Sequence, residues 1–107
     1  MTETTTNQLI NATVEGIVRH LAGADRDLVN TVKRAKSAHS HMLSAFSESL
    51  KARVAGHTED EDAYDEMARA YAHIYQYRVE KAAGRIHDLT GIDEAFAARV
   101  IVTMAEE

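Results

Sequence analysis

From residue 26 to residue 55 the chain meets neither glycine nor proline. Across that stretch Leu28, Val32, Ala35, His39, Met42, Phe46, Ser49 and Arg53 recur at steps of four and three. This is the spacing of a helix that packs along one seam against another helix. Val29, Leu43, Leu50 and Val54 widen the stripe. Few folds accommodate a helix of about 30 residues, roughly 45 Å long at 1.5 Å per residue, in a chain this short.

A second long helix is predicted over about 59–89, through Tyr64, Met67, Ala68, Tyr71, Ile74, Tyr75, Ala82, Ile86 and Leu89. Thr58, Glu59, Asp60 and Glu61 match a capping box, with Thr58 as N-cap and Glu61 reaching back. Asp62, Asp65 and Glu66 follow at the positive end of the helix dipole. Gly56 separates the two helices, and so short a connection forces them antiparallel. With the turn near His57, residues whose numbers sum to about 114 should face each other along the hairpin. That register sets Leu28 against Ile86, Val32 against Ala82, Ala35 against Val79 and Leu50 against Tyr64. It also sets Phe46 against Met67 and Ala68, and Met42 against Tyr71 and Ala72. Lys51 and Arg53 close one helix beside the acidic opening of the next.

Two shorter helices flank the hairpin, over about 7–22 and 94–105. In the first, Ile10, Val14, Ile17, Val18 and Leu21 line one face; Gly23 is the expected stop and Asp25 the N-cap of the following helix. In the last, Asp93 is the expected N-cap and Phe96, Val100, Ile101 and Met104 the apolar set. Residues 1–6 read as a disordered polar tail and 7–107 as a single domain. The expected fold is therefore all-α, a four-helix arrangement built on a long antiparallel hairpin. The short helices look insufficient to cover that hairpin, so a second copy of the chain is expected to complete the core as a homodimer.

Composition narrows the function. There is no cysteine, which excludes disulfides and thiolate metal sites and fits a cytoplasmic setting. The polar start lacks the basic and apolar stretches of a signal peptide, and no apolar run is long enough to span a membrane. A net charge of −5 opposes generic phosphate binding, so nucleic acid is an unfavoured partner. No phosphate-binding glycine loop, nucleophile elbow or zinc-protease helix is present, and no cofactor or enzyme activity is expected.

Three clusters could carry recognition. Glu59, Glu66, His73, Glu80 and His87 recur every seven residues as a polar column, with His39 and His41 across the hairpin. A His/Glu metal site is one reading, but successive members lie about 10 Å apart, too far to share an ion. Tyr71, His73, Tyr75 and Tyr77 form an aromatic group in which Tyr71 and Tyr75 face inward and Tyr77 outward, and tyrosine is enriched in binding hot spots. His39 is expected to be buried and hydrogen-bonded to a tyrosine. Lys33, Arg34 and Lys36 form the one basic cluster, suited to phosphate or an acidic partner, though a solvated helix face is the simpler reading.

Residues 86–93 with the helix after them are similar to a helix-turn-helix. However, His87 stands where a small residue is usual, and Arg99 is the single basic residue of the would-be recognition helix. The balance favours a non-enzymatic module that binds another protein: a regulator, inhibitor or assembly factor of the kind phages and plasmids often encode. The alternatives are a helical-bundle metal-binding protein and a DNA-associated regulator.

Overall fold

The computed structural model describes the backbone of residues 3–107 and side chains from residue 8 onward. Its elements are α1 (Glu3–Ala24), α2 (Arg26–Ala55), α3 (Thr58–Thr90) and α4 (Glu94–Glu106), with no strand among the described residues. The fold is the expected all-α, four-helix arrangement. Helix α1 begins a turn earlier than expected; the first two residues of the expected tail lie outside the described ones.

Local chemistry sets most boundaries. Asp25 caps α2, its Oδ1 accepting from the Leu28 amide at 3.0 Å, and Asp93 caps α4 by accepting from the Phe96 amide at 3.0 Å. Gly56 and Gly91 end α2 and α3 at φ 75°, a left-handed conformation that a Cβ would strain. Two expectations fail here. Gly23 does not stop α1, which runs on in helical geometry to Ala24 until Asp25 turns the chain. Thr58 is not an N-cap either: His57 holds that position without a side-chain bond, and Glu61 accepts from Arg53 at 3.0 Å instead of reaching back.

The register of the hairpin is the expected one. Ser49 Oγ donates to Asp65 Oδ1, Arg53 pairs with Glu61, and the His39 ring packs on Tyr75 with centroids 5.3 Å apart. The rotation of α2 about its axis, however, differs in the half nearest the turn. Buried there are Ala45, Ser49 and Ala52, continuing the small-residue line from Ala38 and level with buried Ala68 on α3, while Phe46 and Arg53 are exposed. Phe46, Leu50, Met67 and Ile74, expected on the packed faces, are instead between 44% and 59% exposed. The reason is steric, because interaxial distance follows the side chains at the contact. Alanine against alanine lets the helices approach closely, and a phenylalanine between them would hold them apart.

Large side chains fill the other half. Leu28, Val32, Ala35, Val79, Ala82 and Ile86 form the core with Val18 and Ala22 of α1 and Ala97, Val100, Ile101 and Ala105 of α4. Helix α4 folds back along α3 and stops beside the middle of the hairpin, where Glu106 lies 3.4 Å from His39 and 3.3 Å from the Tyr75 hydroxyl. Arg85 ties the opposite end, gripping Asp25 through two bonds of 2.8 Å. Only the last turns of α1 reach the core; Leu9, Ile10 and Ile17 are exposed, against the expectation of one continuous buried face. The result is elongated, 58 × 33 × 17 Å with a radius of gyration of 17.5 Å, where a compact chain of this length would have about 13 Å. The turn half of the hairpin is two helices thick with neither α1 nor α4 in its core.

Candidate functional site

The absence of cover over the turn half leaves two apolar stripes exposed, one on each hairpin helix. On α3, Met67, Ala70, Ile74 and Tyr77 stand at i, i+3, i+7 and i+10, so one face of the helix presents all four. Met67 and Ile74 are each just under half exposed and Tyr77 is 56% exposed. Half-buried Tyr64 and Tyr71 border this stripe. Tyr71 stacks on His41 at 5.0 Å, and the Arg78 guanidinium lies 5.4 Å from the centre of the Tyr77 ring. Both contacts hold the rings against neighbouring side chains.

On α2, Leu43, Phe46, Leu50 and Val54 form the second stripe, and Val54 is 89% exposed. They follow His39 at helical spacing, so they continue the face on which α4 ends.

The expected aromatic group is thus divided. Tyr77 points outward and Tyr71 is half-buried beside it, as expected. Tyr75 is turned to α4, where burial and the neighbouring Glu106 carboxylate push its phenol up to about 12. His73 is exposed next to Ile74. His39 is half-buried and packs on the Tyr75 ring face rather than hydrogen-bonding to its hydroxyl, which is taken by Glu106.

Lys33, Arg34 and Lys36 are all exposed on α2. Arg34 lines an open groove of about 610 Å³ between α2 and α3. Lys81 and Arg85 share that groove with Asp27, Glu80 and Asp88, so its charges alternate and give no anion-selective field. Glu59, Glu66, His73, Glu80 and His87 run along the exposed side of α3, and His87 Nδ1–H donates to the Ile92 carbonyl at 2.8 Å. Among the described residues no three His, Asp or Glu side chains converge as metal ligands would.

Met67 and Ile74 on α3, and Leu43, Leu50 and Val54 on α2, were assigned by spacing to the packed faces. The signal against that assignment lies in the sequence: Ala38, Ala45 and Ala52 repeat every seven residues and compete with the larger residues for the seam.

Fold and site define an all-α bundle whose hairpin projects beyond its own core. Comparison with protein-family models, curated proteins and solved structures returns no match. Among the described residues no helix is long and apolar enough to cross a membrane.

Proposed function

We propose that this chain is a non-enzymatic protein–protein interaction module that lays the outer face of α3 into an apolar groove on another protein. The supporting observation is the exposed stripe of Met67, Ala70, Ile74 and Tyr77, whose spacing is that of anchors in helix-in-groove recognition. Isolated exposed apolar residues are ordinary, whereas an aligned set with a tyrosine at one end is what binding surfaces use. His73 and Glu66 lie beside the stripe and supply the polar rim such surfaces carry. A module of this kind acts as a regulator, inhibitor or assembly factor, and its lack of cysteine suits a reducing compartment such as the cytoplasm. The metal-binding and DNA-associated readings have no comparable surface among the described residues to draw on.

The test is co-purification from the native host with wild-type protein, the Ile74→Glu/Tyr77→Ala variant and a Glu59→Gln control. A protein recovered in stoichiometric amount with wild type and control, and lost with the variant at unchanged helicity, is the expected result. Equal recovery with all three would remove the α3 face from the account.

A further inference from the structure

The second stripe, on α2, calls for a different occupant. Leu43, Phe46, Leu50 and Val54 prolong the groove that α4 fills as far as His39, so the missing element is another helix lying in the layer of α4. The same chain carries a helix, α1, whose described residues before Val18 are mostly exposed. In α1, Leu9, Ile10 and Ile17 are exposed, with Thr13 and half-buried Val14 between them. Gly16 has no atom of another element near it. Such a segment, with glycine, threonine and asparagine in it, is not held helical by propensity alone.

We propose that the Leu9–Ile17 face of α1 packs on the Leu43–Val54 stripe of a second copy of this chain, and that the exchange is reciprocal in a homodimer. Three quantities agree with this pairing. From Leu9 to Ile17 the ridge is about 12 Å long and from Leu43 to Val54 the stripe is about 16 Å, at 1.5 Å per residue. The exposed parts of Leu9, Ile10, Ile17, Leu43, Phe46, Leu50 and Val54 amount to about 750 Å² per copy, at roughly 150–250 Å² for a whole large side chain. Complete burial of both copies' stripes removes about 1,500 Å², inside the range of roughly 1,200–2,000 Å² for stable interfaces. Charge is also favourable. Between Gln8 and Val18 Glu15 is the one ionisable side chain, paired with Arg19 at 3.1 Å, and Lys51 beside the α2 stripe is paired with Glu48 at 3.2 Å.

The chain's own α1 cannot do the same. Folded back about Asp25, it brings Leu9 level with about residue 41, short of Leu50 and Val54. A second copy has no such tether.

The test uses the full chain, which has no native cysteine to interfere. Ile10→Cys and Leu50→Cys proteins, one of them carrying a mass tag, are oxidised separately and as a mixture. The expected product is a mixed disulfide dimer, several-fold more abundant in the mixture than either self-linked dimer. Light scattering of the unmodified protein is expected to give about twice 11.8 kDa at about 100 µM, since mass action favours the dimer at high concentration. Leu50→Glu is expected to return it to 11.8 kDa with unchanged helicity. A monomer at that concentration overturns the inference. So does a Leu50→Cys self-linked dimer without the mixed product, and so does an intramolecular disulfide in the Ile10→Cys/Leu50→Cys double variant. None of these outcomes involves α3, so the proposed partner face and this interface fail separately.

Discussion

Leu28 and Leu50 lie on the same helix and differ in one respect: Leu28 is 0% exposed and Leu50 is 59% exposed. Replacing each with alanine therefore measures how much of α2 is covered. At Leu28 the loss combines transfer of the removed carbons with a cavity left in the buried core, at about 3 kcal/mol within a usual range of 2–5. For a chain of this size each kcal/mol moves Tm by about 4–8 °C, so Leu28→Ala should melt about 12–24 °C lower. At Leu50 less than half the side chain is buried, and the same truncation should cost about 1 kcal/mol or less in the isolated protomer. Melts followed by circular dichroism, at sub-micromolar and at high protein concentration, make the comparison. The Leu28→Ala deficit should appear at every concentration. The Leu50→Ala deficit should be small when dilute and grow with concentration, because association stabilises only the intact interface. Equal deficits for both variants in the dilute limit would mean that the chain covers its own stripe, and the account of the hairpin would be wrong.

Other perturbations test the fold at single positions. Hydrogen bonds from Arg85, and then from the Leu28 amide, hold the Asp25 carboxyl down to about 2 from an ordinary 3.8. A depressed folded-state value stabilises above the unfolded one, so this contribution should be complete above about pH 4 and disappear as pH falls through about 2. Asp25→Asn, which keeps a capping oxygen, should flatten the acid limb of Tm against pH, and an unaltered limb would deny the Arg85 pairing any role in stability. Gly23 is helical with open space around it, whereas Gly56 is left-handed. Gly23→Ala should raise stability by roughly 0.5–1 kcal/mol and Gly56→Ala should lower it by about 1 kcal/mol, so shifts of like sign in denaturant titrations would contradict the helix boundaries. Ala68 is 0% exposed in the close seam, and Ala68→Leu should cost about 1–3 kcal/mol by wedging the helices apart; a neutral result in urea unfolding would place the seam elsewhere.

The hairpin and its register were legible because two features agree. Four-and-three periodicity marks the helices, and a glycine turn fixes which residues lie level. The Ser49–Asp65 and Arg53–Glu61 pairs fall at that register. What periodicity does not fix is the rotation of a helix that has two candidate seams. On α2, Phe46 and Leu50 lie within one residue of Ala45 and Ser49, so a stripe counted by hydropathy favours the large residues. Packing favoured the small ones, because only they permit close approach. The same error hid the α3 face: Met67 and Ile74 read as core although Ala68 and half-buried Tyr75, each one position further on, occupy it. The outward direction of Tyr77 was legible because it stands two residues from inward-facing Tyr75, about 200° around the helix. Gly23 was misread for a local reason, since glycine signals a helix end only where a left-handed residue is needed, and Asp25 with Arg85 makes that turn instead.

The central claim, that the outer face of α3 carries partner recognition, is tested most directly by hydrogen exchange of this chain with and without its co-purified partner. The account predicts new protection along α3 from Met67 to Tyr77, with α4 and the buried turns of α2 unchanged. Protection confined to α4 and the adjoining end of α3, leaving Met67 to Tyr77 at its free rate, would contradict it.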